Sequence, residues 1–478
     1  MTVKNDGRNG DMPGPASTAS QRPHTSEEHA QVTPPNPAEQ VVLPMSGAAS
    51  GGSCAFDETV RFLFSLGHEL KVVKWDLERI STLLAALGNP HTRGRFVHVA
   101  GTNGKGSTCA MIESALRVSG LRTGLYTSPH LISPRERIAI AGEPISEQAW
   151  VAAFKEVHKA AERLLADEAI DTHPSFFETV TAMAFLALAQ AGVEITVLET
   201  GLGGRLDATN VVDPEVAVIT PIDFDHEAFL GSSIESIAAE KAGILKPGRP
   251  AVFAQQRPEA LRVLENRALE LDIEVRHSSA WRVENLVRGK YGSRFTLYGD
   301  EEIPIECPLA GAHQVENVRT AVTALAPMGI PAAAIRAGIT GARWPGRLEH
   351  VHGNPDIILD GAHNPAGARA LADYIREFYP DEPIRIIFGA MRDKAVEEVT
   401  NILFPLAEEI VLAAPNQPRA LNSRALEQMT VESTQSQVIV IAPSVAAALE
   451  VYTQRKKMTT FVTGSLFLVA EARVWFNK

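Results

Sequence analysis

Apolar positions along this chain follow two alternating periods. In FDETVRFLFSL (56–66), Phe56, Val60, Leu63 and Phe64 share one helical stripe. RFVHVAG (95–101) is a short β-rich run ending in glycine, and the helix expected from about Ser107 closes through SALRVSG with Gly120 as its C-cap. EITVLE (194–199) and EVAVIT (215–220) are apolar runs bounded by turn signals, as strands buried on both faces require. PSFFETVTAMAFLALAQAG (174–192) predicts a helix. The second half repeats the alternation: DIILDG (356–361), a helix after Asn364-Pro365, IRIIFGA (384–390), EIVLAA (409–414), QVIVIA (437–442), a helix through Val445–Lys456, TTFVTG (459–464) and a closing helix. This order predicts α/β domains with mostly parallel sheets. ARWPGRLE (342–349) breaks both periods and marks a hinge, giving domains at 56–343 and 344–478. Residues 1–55 have no Phe, Trp or Tyr and are rich in Pro, Ser, Thr, Gly and Ala, which predicts a disordered tail.

Composition narrows the class. Of 478 residues, 45% are hydrophobic, ample for buried cores, and the net charge of −12 argues against a general nucleic-acid or membrane-surface binder. Cys54, Cys109 and Cys307 are far apart and form no CxxC, which favours a reduced compartment and disfavours a structural zinc site. No apolar run is long enough to span a bilayer and the N-terminus has no secretory apolar core, so a cytoplasmic protein is expected.

The sharpest local signal is HVAGTNGKGST (98–108). Gly101, Gly104 and Gly106 allow close backbone approach to an anion, and the following helix points amides and its positive dipole end at it. Lys105 adds a point charge, and Ser107 or Thr108 a hydroxyl. The spacing departs from the general G-x4-G-K-[ST] pattern, because only Thr102 and Asn103 separate the first two glycines. An ordinary glycine turn before a helix is the alternative on spacing alone.

GTNGKGS resembles the ATP-binding loop of the Mur ligase superfamily, and its GKGS ending is similar to the folate branch, folylpolyglutamate synthase and dihydrofolate synthase. YTSPHL (126–131), LETGLGGRLDATN (198–210), DFDHEAFLG (223–231), EKAGILKPGRP (240–250), GAHQVENVRTA (311–321), WPGRLE (344–349) and LDGAHNPAG (359–367) extend the resemblance in order over about residues 56–478. It implies a P-loop-type parallel-sheet ATPase domain followed by a smaller, Rossmann-like glutamate-ligase domain.

The resemblance implies that ATP phosphorylates a carboxylate and that an amine then displaces phosphate. Gly101–Thr108 would hold the phosphates, with Lys105 catalytic, and Arg347 would reach them from the second domain. Gln314 and Asn317 resemble adenine contacts, Asp360 a ribose contact, and His363 a position near the reaction centre. Magnesium, as two ions, would be held through Ser128, Glu199 and His226. Lys241 resembles a lysine carboxylated by CO2 to a carbamate, a modification that a lowered pKa would favour. Asp76, Leu77, Ser175, Phe177, Asp207 and Ala208 resemble positions around a pterin or folate. Phe177 can stack on a flat heterocycle, and Asp207 can accept from ring N–H groups. TSPHLISPRERI (127–138) reads as a mobile substrate loop whose Arg135 and Arg137 suit an anionic substrate.

The implied substrates are ATP, L-glutamate, dihydropteroate and reduced folates, handled by a bifunctional monomer. A Mur ligase acting on a UDP-sugar peptide is the first rival, but only about 45 foldable residues precede Gly101, too few for its separate nucleotide-sugar domain. The second is a non-catalytic nucleotide-binding regulatory module, against which every expected catalytic position is occupied.

Overall fold

The computed structural model describes residues 53–67, 76–353, 355–430, 437–454 and 458–477. Most of the predicted tail, residues 1–52, lies outside the described residues. Order begins slightly earlier than the apolar pattern implied. The first helix opens at Cys54, not Phe56, because the Ser53 side chain accepts the Phe56 amide and caps it.

Eight strands form the first sheet: β1 (Arg95–Ala100), β2 (Thr123–Tyr126), β3 (Ile138–Ile140), β4 (Glu143–Pro144), β5 (Ile195–Glu199), β6 (Val216–Ile219), β7 (Ala251–Phe253) and β8 (Val275–His277). Their spatial order is β4-β3-β2-β5-β1-β6-β7-β8. The six strands from β2 to β8 run parallel, and β3 and β4 add an antiparallel edge. Alternation divides the core. Val97, Val99, Ile195 and Val197 pack on one face with the helices Lys105–Val118, His313–Leu325 and Ala332–Gly341. Phe96 and Leu198 pack on the other with Trp150, Phe176 and Phe185. Truncating such a fully buried side chain, as in Leu116→Ala, costs about 2–5 kcal/mol.

β9 (Arg282–Gly289), β10 (Gly292–Tyr298) and β11 (Glu302–Cys307) form a three-stranded antiparallel sheet. A second lobe follows, with β12 (Glu349–Gly353), β13 (Asp356–Leu359), β14 (Ile384–Phe388), β15 (Glu409–Ala413), β16 (Val438–Ala442) and β17 (Thr459–Thr463) in the order β12-β13-β17-β14-β15-β16. Five of these strands are parallel, and β12 pairs antiparallel with β13. Helices cover both faces, so the architecture is the expected pair of α/β sheets, large and small.

The turn between β9 and β10 seats on the second lobe. Tyr374 Oη donates to the Lys290 carbonyl at 2.8 Å, while Lys290 Nζ lies 3.9 Å above the Tyr379 ring and 3.6 Å from Asp356. Arg288 pairs with Glu377 at 3.1 Å.

Candidate active site

The glycine loop joins the C-terminal end of β1 to the helix Lys105–Val118, where an open parallel sheet binds its ligands. The helix starts at Lys105, two residues before the expected Ser107, because Gly104 turns the chain at φ +85° immediately ahead of it. A Cβ on Gly101 would stand 1.9 Å from Thr220 Oγ1, and one on Gly106 would stand 2.4 Å from the Trp344 ring. The amides of Thr102 and Asn103 donate to the Pro221 carbonyl at 3.0 and 3.2 Å. The first-turn amides of Lys105, Gly106 and Ser107 have no carbonyl of the preceding turn to bond, which suits them to an anion. Lys105 Nζ folds back onto the carbonyls of Gly101 and Thr102 at 3.2 and 3.4 Å.

Two adjoining cavities meet beside this loop, of about 1950 and 1210 Å³ counted out into open solvent. Gly101–Ser107, Glu199, Lys241, Asn317, Arg347 and Asp360 line the larger. Asp76, Ser175, Phe177, Asp207 and Ala208 line the smaller. Ser128, His226 and His363 line both. The folded chain thus gathers most of the sequence-predicted positions into one continuous cleft.

Three positions stand off its wall. Thr108 is fully buried with its hydroxyl lacking a hydrogen-bond partner. Gln314 is also fully buried, donating to Ser107 Oγ at 3.3 Å and accepting from Asn317 Nδ2 at 2.9 Å. Leu77 packs against the apolar core from the start of the helix Glu78–Ala86. The basic segment after Ser128 also differs from its reading as a mobile substrate loop. Pro134–Arg137 is a capped single turn, Arg135 donates to the Ile145 carbonyl at 3.0 Å, and buried Arg137 donates to His130 Nδ1 at 2.9 Å.

The electrostatics are those of a dry site. Burial pushes the Glu199 carboxyl up to about 6, against the opposing pull of Lys105, the Ser128 amide at 3.2 Å, and Arg347. Burial, reinforced by Lys105, brings Lys241 down to about 7, and its Nζ donates to the Gly101 carbonyl at 2.9 Å. His226 is lowered to about 4 by burial and by Lys394. Its Nδ1 is buried with no hydrogen-bond partner. That orphaned nitrogen, the Glu199 carboxylate and the Ser128 hydroxyl make a donor set able to complete a magnesium shell, with the carboxylate as its hard anionic member.

Asp207 and Asp360 are fastened by their own backbone. Asp207 accepts from the amides of Gly201, Leu202 and Thr209 and from the Thr209 hydroxyl. Asp360 accepts from the amides of Leu348 and Ala362, both at 2.9 Å. Ser175 caps the helix Phe176–Gln190 in a reciprocal box with Glu178, which sets Phe177 at the cavity wall.

Sequence reasoning missed the groups that bridge the lobes. Lys394 Nζ lies 2.7 Å from Asp225 and 3.2 Å from His226 Nε2. Asn364 Nδ2 donates to Asn103 at 3.1 Å and to Asp225 at 3.2 Å. His363 Nε2 stands 3.5 Å from Asp225. Burial works against the Asp225 charge, but the His363 contact and the Lys394 ammonium outweigh it and hold the carboxyl well below its usual range. Asp393, Arg419 and Ser465 line the smaller cavity from the second lobe. The position of Lys394 just beyond an apolar strand, IRIIF, was the available signal.

A model of the Mur ligase middle domain matches residues 99–325, and one of the Mur ligase glutamate ligase domain matches residues 346–466. The chain is 36% identical over 423 residues to the dihydrofolate synthase/folylpolyglutamate synthase of Bacillus subtilis, covering 84% of this chain and 95% of that one. A structure of Mycobacterium tuberculosis folylpolyglutamate synthase complexed with ADP and AMPPCP matches with a TM-score of 0.83 at 33% identity, over 89% of this chain and 98% of that one. E. coli FolC in complex with DHPP and ADP matches with a TM-score of 0.78 at 30% identity, over 89% and 98% of the two chains. The chain therefore belongs to the Mur ligase family, in its dihydrofolate synthase/folylpolyglutamate synthase branch, and is an ATP-dependent ligase.

Proposed function

We propose that this ligase joins L-glutamate both to dihydropteroate and to the γ-glutamyl end of reduced folates, through an acyl phosphate. The observation that carries this reading is the junction of the two cavities at Ser128, His226 and His363. A flat heterocycle against Phe177 can send its carboxylate through that junction toward a triphosphate held on Lys105–Ser107. The carboxylate oxygen attacks the γ-phosphorus, the bond to the bridging oxygen breaks, and ADP leaves. Lys105 and Arg347 neutralise charge on the transferring group. Glutamate's nitrogen then attacks the acyl carbon and phosphate leaves with the electron pair of its C–O bond.

Lys394 and Arg419 place cationic groups where an incoming amino acid's carboxylates need them. His363 Nδ1 donates to the Gly361 carbonyl at 2.7 Å, which fixes the ring with Nε2 toward Asp225 at the junction of the two cavities. Magnesium held through Ser128, Glu199 and His226 supplies charge neutralisation to the phosphates when bound. Lys241 fits a carbamate: it is buried, reaches the loop, and its amine is largely uncharged slightly above neutral pH.

Residues 56–343 and 344–478 act as two domains hinged at ARWPGRLE, with Trp344 packed on Gly106. We assign the enzyme to the cytoplasm as a monomer. In support, no helix among the described residues is long and apolar enough to cross a membrane.

Parallel assays of ADP release with dihydropteroate and with tetrahydrofolate, each with glutamate, ATP and Mg2+, test the reading. Turnover of both is expected. Turnover of one alone would remove bifunctionality, and turnover of neither would remove the assignment.

A further inference from the structure

Away from the cleft, two histidines and a glutamate converge. His158 and Glu162 lie one turn apart on the helix Glu147–Ala166, and His173 sits in the segment leading into the helix Phe176–Gln190. His158 Nδ1 and His173 Nε2 each stand 3.9 Å from Glu162 Oε1, and the three atoms lie within 4.8 Å of one another.

The chemistry of this arrangement is one-sided. His173 Nδ1 donates to the Pro174 carbonyl at 2.8 Å, which fixes the ring with Nε2 as the nitrogen turned toward Glu162. That Nε2 and His158 Nδ1 are both buried, with no hydrogen-bond partner among the described residues. Two imidazole nitrogens and a carboxylate oxygen thus converge at separations from Glu162 too long for hydrogen bonds.

We propose that these three side chains form a binding site for a zinc-like divalent transition metal. Three donors at about 2.1 Å on a tetrahedral ion stand about 3.4 Å apart, so small side-chain rotations close the observed geometry. Imidazole nitrogens select late first-row metals over magnesium. The Pro174 carbonyl is the outer partner that a metal-binding histidine needs to fix its ring. Phe62 packs against both imidazoles, with centroids 4.5 Å from His158 and 5.7 Å from His173, and Phe154 stacks on His158 at 5.3 Å. Glu162 is more than half exposed, so water reaches the fourth position. A bound ion would tie the first helix's neighbour to the segment that delivers Ser175 and Phe177 to the smaller cavity.

Titrating chelator-treated full-length protein with Co2+ tests the site. One equivalent is expected to bind with a Kd of order 10 µM or tighter and to give the visible d–d absorption of a tetrahedral nitrogen and oxygen site. His173→Gln and Glu162→Gln should each lose that absorption while keeping the far-ultraviolet circular dichroism of the parent. His226→Gln should retain it, which separates the site from the cleft. If His173→Gln fails to fold, the exposed Glu162 variant decides. Absence of binding, or an unchanged spectrum in either folded variant, would overturn the proposal, including the case in which the histidines simply hold protons.

Discussion

Lys241 reaches across from its helix to donate a hydrogen bond, 2.9 Å long, to the carbonyl of Gly101, the first glycine of the phosphate loop. Lys105 folds onto the same carbonyl at 3.2 Å. Two ammonium groups on one acceptor in a dry pocket repel each other, and burial adds to the cost of charging Lys241. Together, burial and that repulsion bring Lys241 down to about 7, the condition that the proposed reaction of its amine with CO2 needs.

Activity should accordingly depend on dissolved CO2. In carefully degassed buffer near pH 8, turnover is expected to fall and to recover on adding bicarbonate. Lys241→Arg, which cannot form the carbamate, should lose about 10²-fold or more in kcat and show no bicarbonate response. Bicarbonate-independent turnover in the parent would remove the modification from the scheme.

Burial of the Glu199 carboxyl makes stability depend on pH. Its folded carboxyl, at about 6, titrates above the ordinary 4.5, so the folded state holds the proton more tightly than the unfolded one. Stability of the metal-free protein should fall as pH rises through the window from 4.5 to 6, by roughly 2 kcal/mol, and stay down above it. Glu199→Gln should therefore melt higher than the parent at pH 7.5 without Mg2+, while losing ligase turnover. A scanning calorimeter and an ADP-release assay suffice to check both halves.

Lys105→Ala should lower kcat by about 10²–10³-fold with the fold intact, since the lysine acts on charge that develops during phosphoryl transfer. Turnover near normal would show that the first-turn amides carry the triphosphate unaided.

Arg347→Ala separates the two cavities. The arginine lines only the nucleotide side, so equilibrium binding of dihydropteroate should be unchanged while ligation falls. Phe177→Ala should do the reverse, weakening pterin binding by about 1–3 kcal/mol through lost stacking and burial. Equal loss of both functions in either variant would point to misfolding.

The parallel strands were legible because burial on both faces leaves little freedom of composition. EITVLE, EVAVIT and IRIIFGA are rich in Val, Ile and Leu with few polar interruptions, and each became a strand. The three-stranded sheet was not read, although FTLY and IPIEC alternate with period two between glycines. Its β9 strand is largely exposed, so RVENLVRG carries little of that alternation. Among site residues, the glycine loop and Glu199 were readable from local pattern, as a glycine turn before a helix and a carboxylate at a strand end, whereas Lys241, 140 residues from the loop carbonyl it meets, came from the family resemblance. Lys394, Asn364 and Arg419 act through distance in space, and sequence neighbours do not encode which opposing lobe they will face. Arg135 and Arg137 were read from their charge as substrate-facing, and nothing in the sequence marks the internal carbonyl, imidazole and aromatic groups that they also contact.

The seating of the β9–β10 turn on Tyr374 and Tyr379 gives the second lobe an attachment separate from the covalent linker. A body pinned at two points keeps one soft rotation, about the line that joins them. The Asn103–Asn364 and Asp225–Lys394 bridges join the same two lobes at the cleft, so any rotation about that line would load both bridges at once.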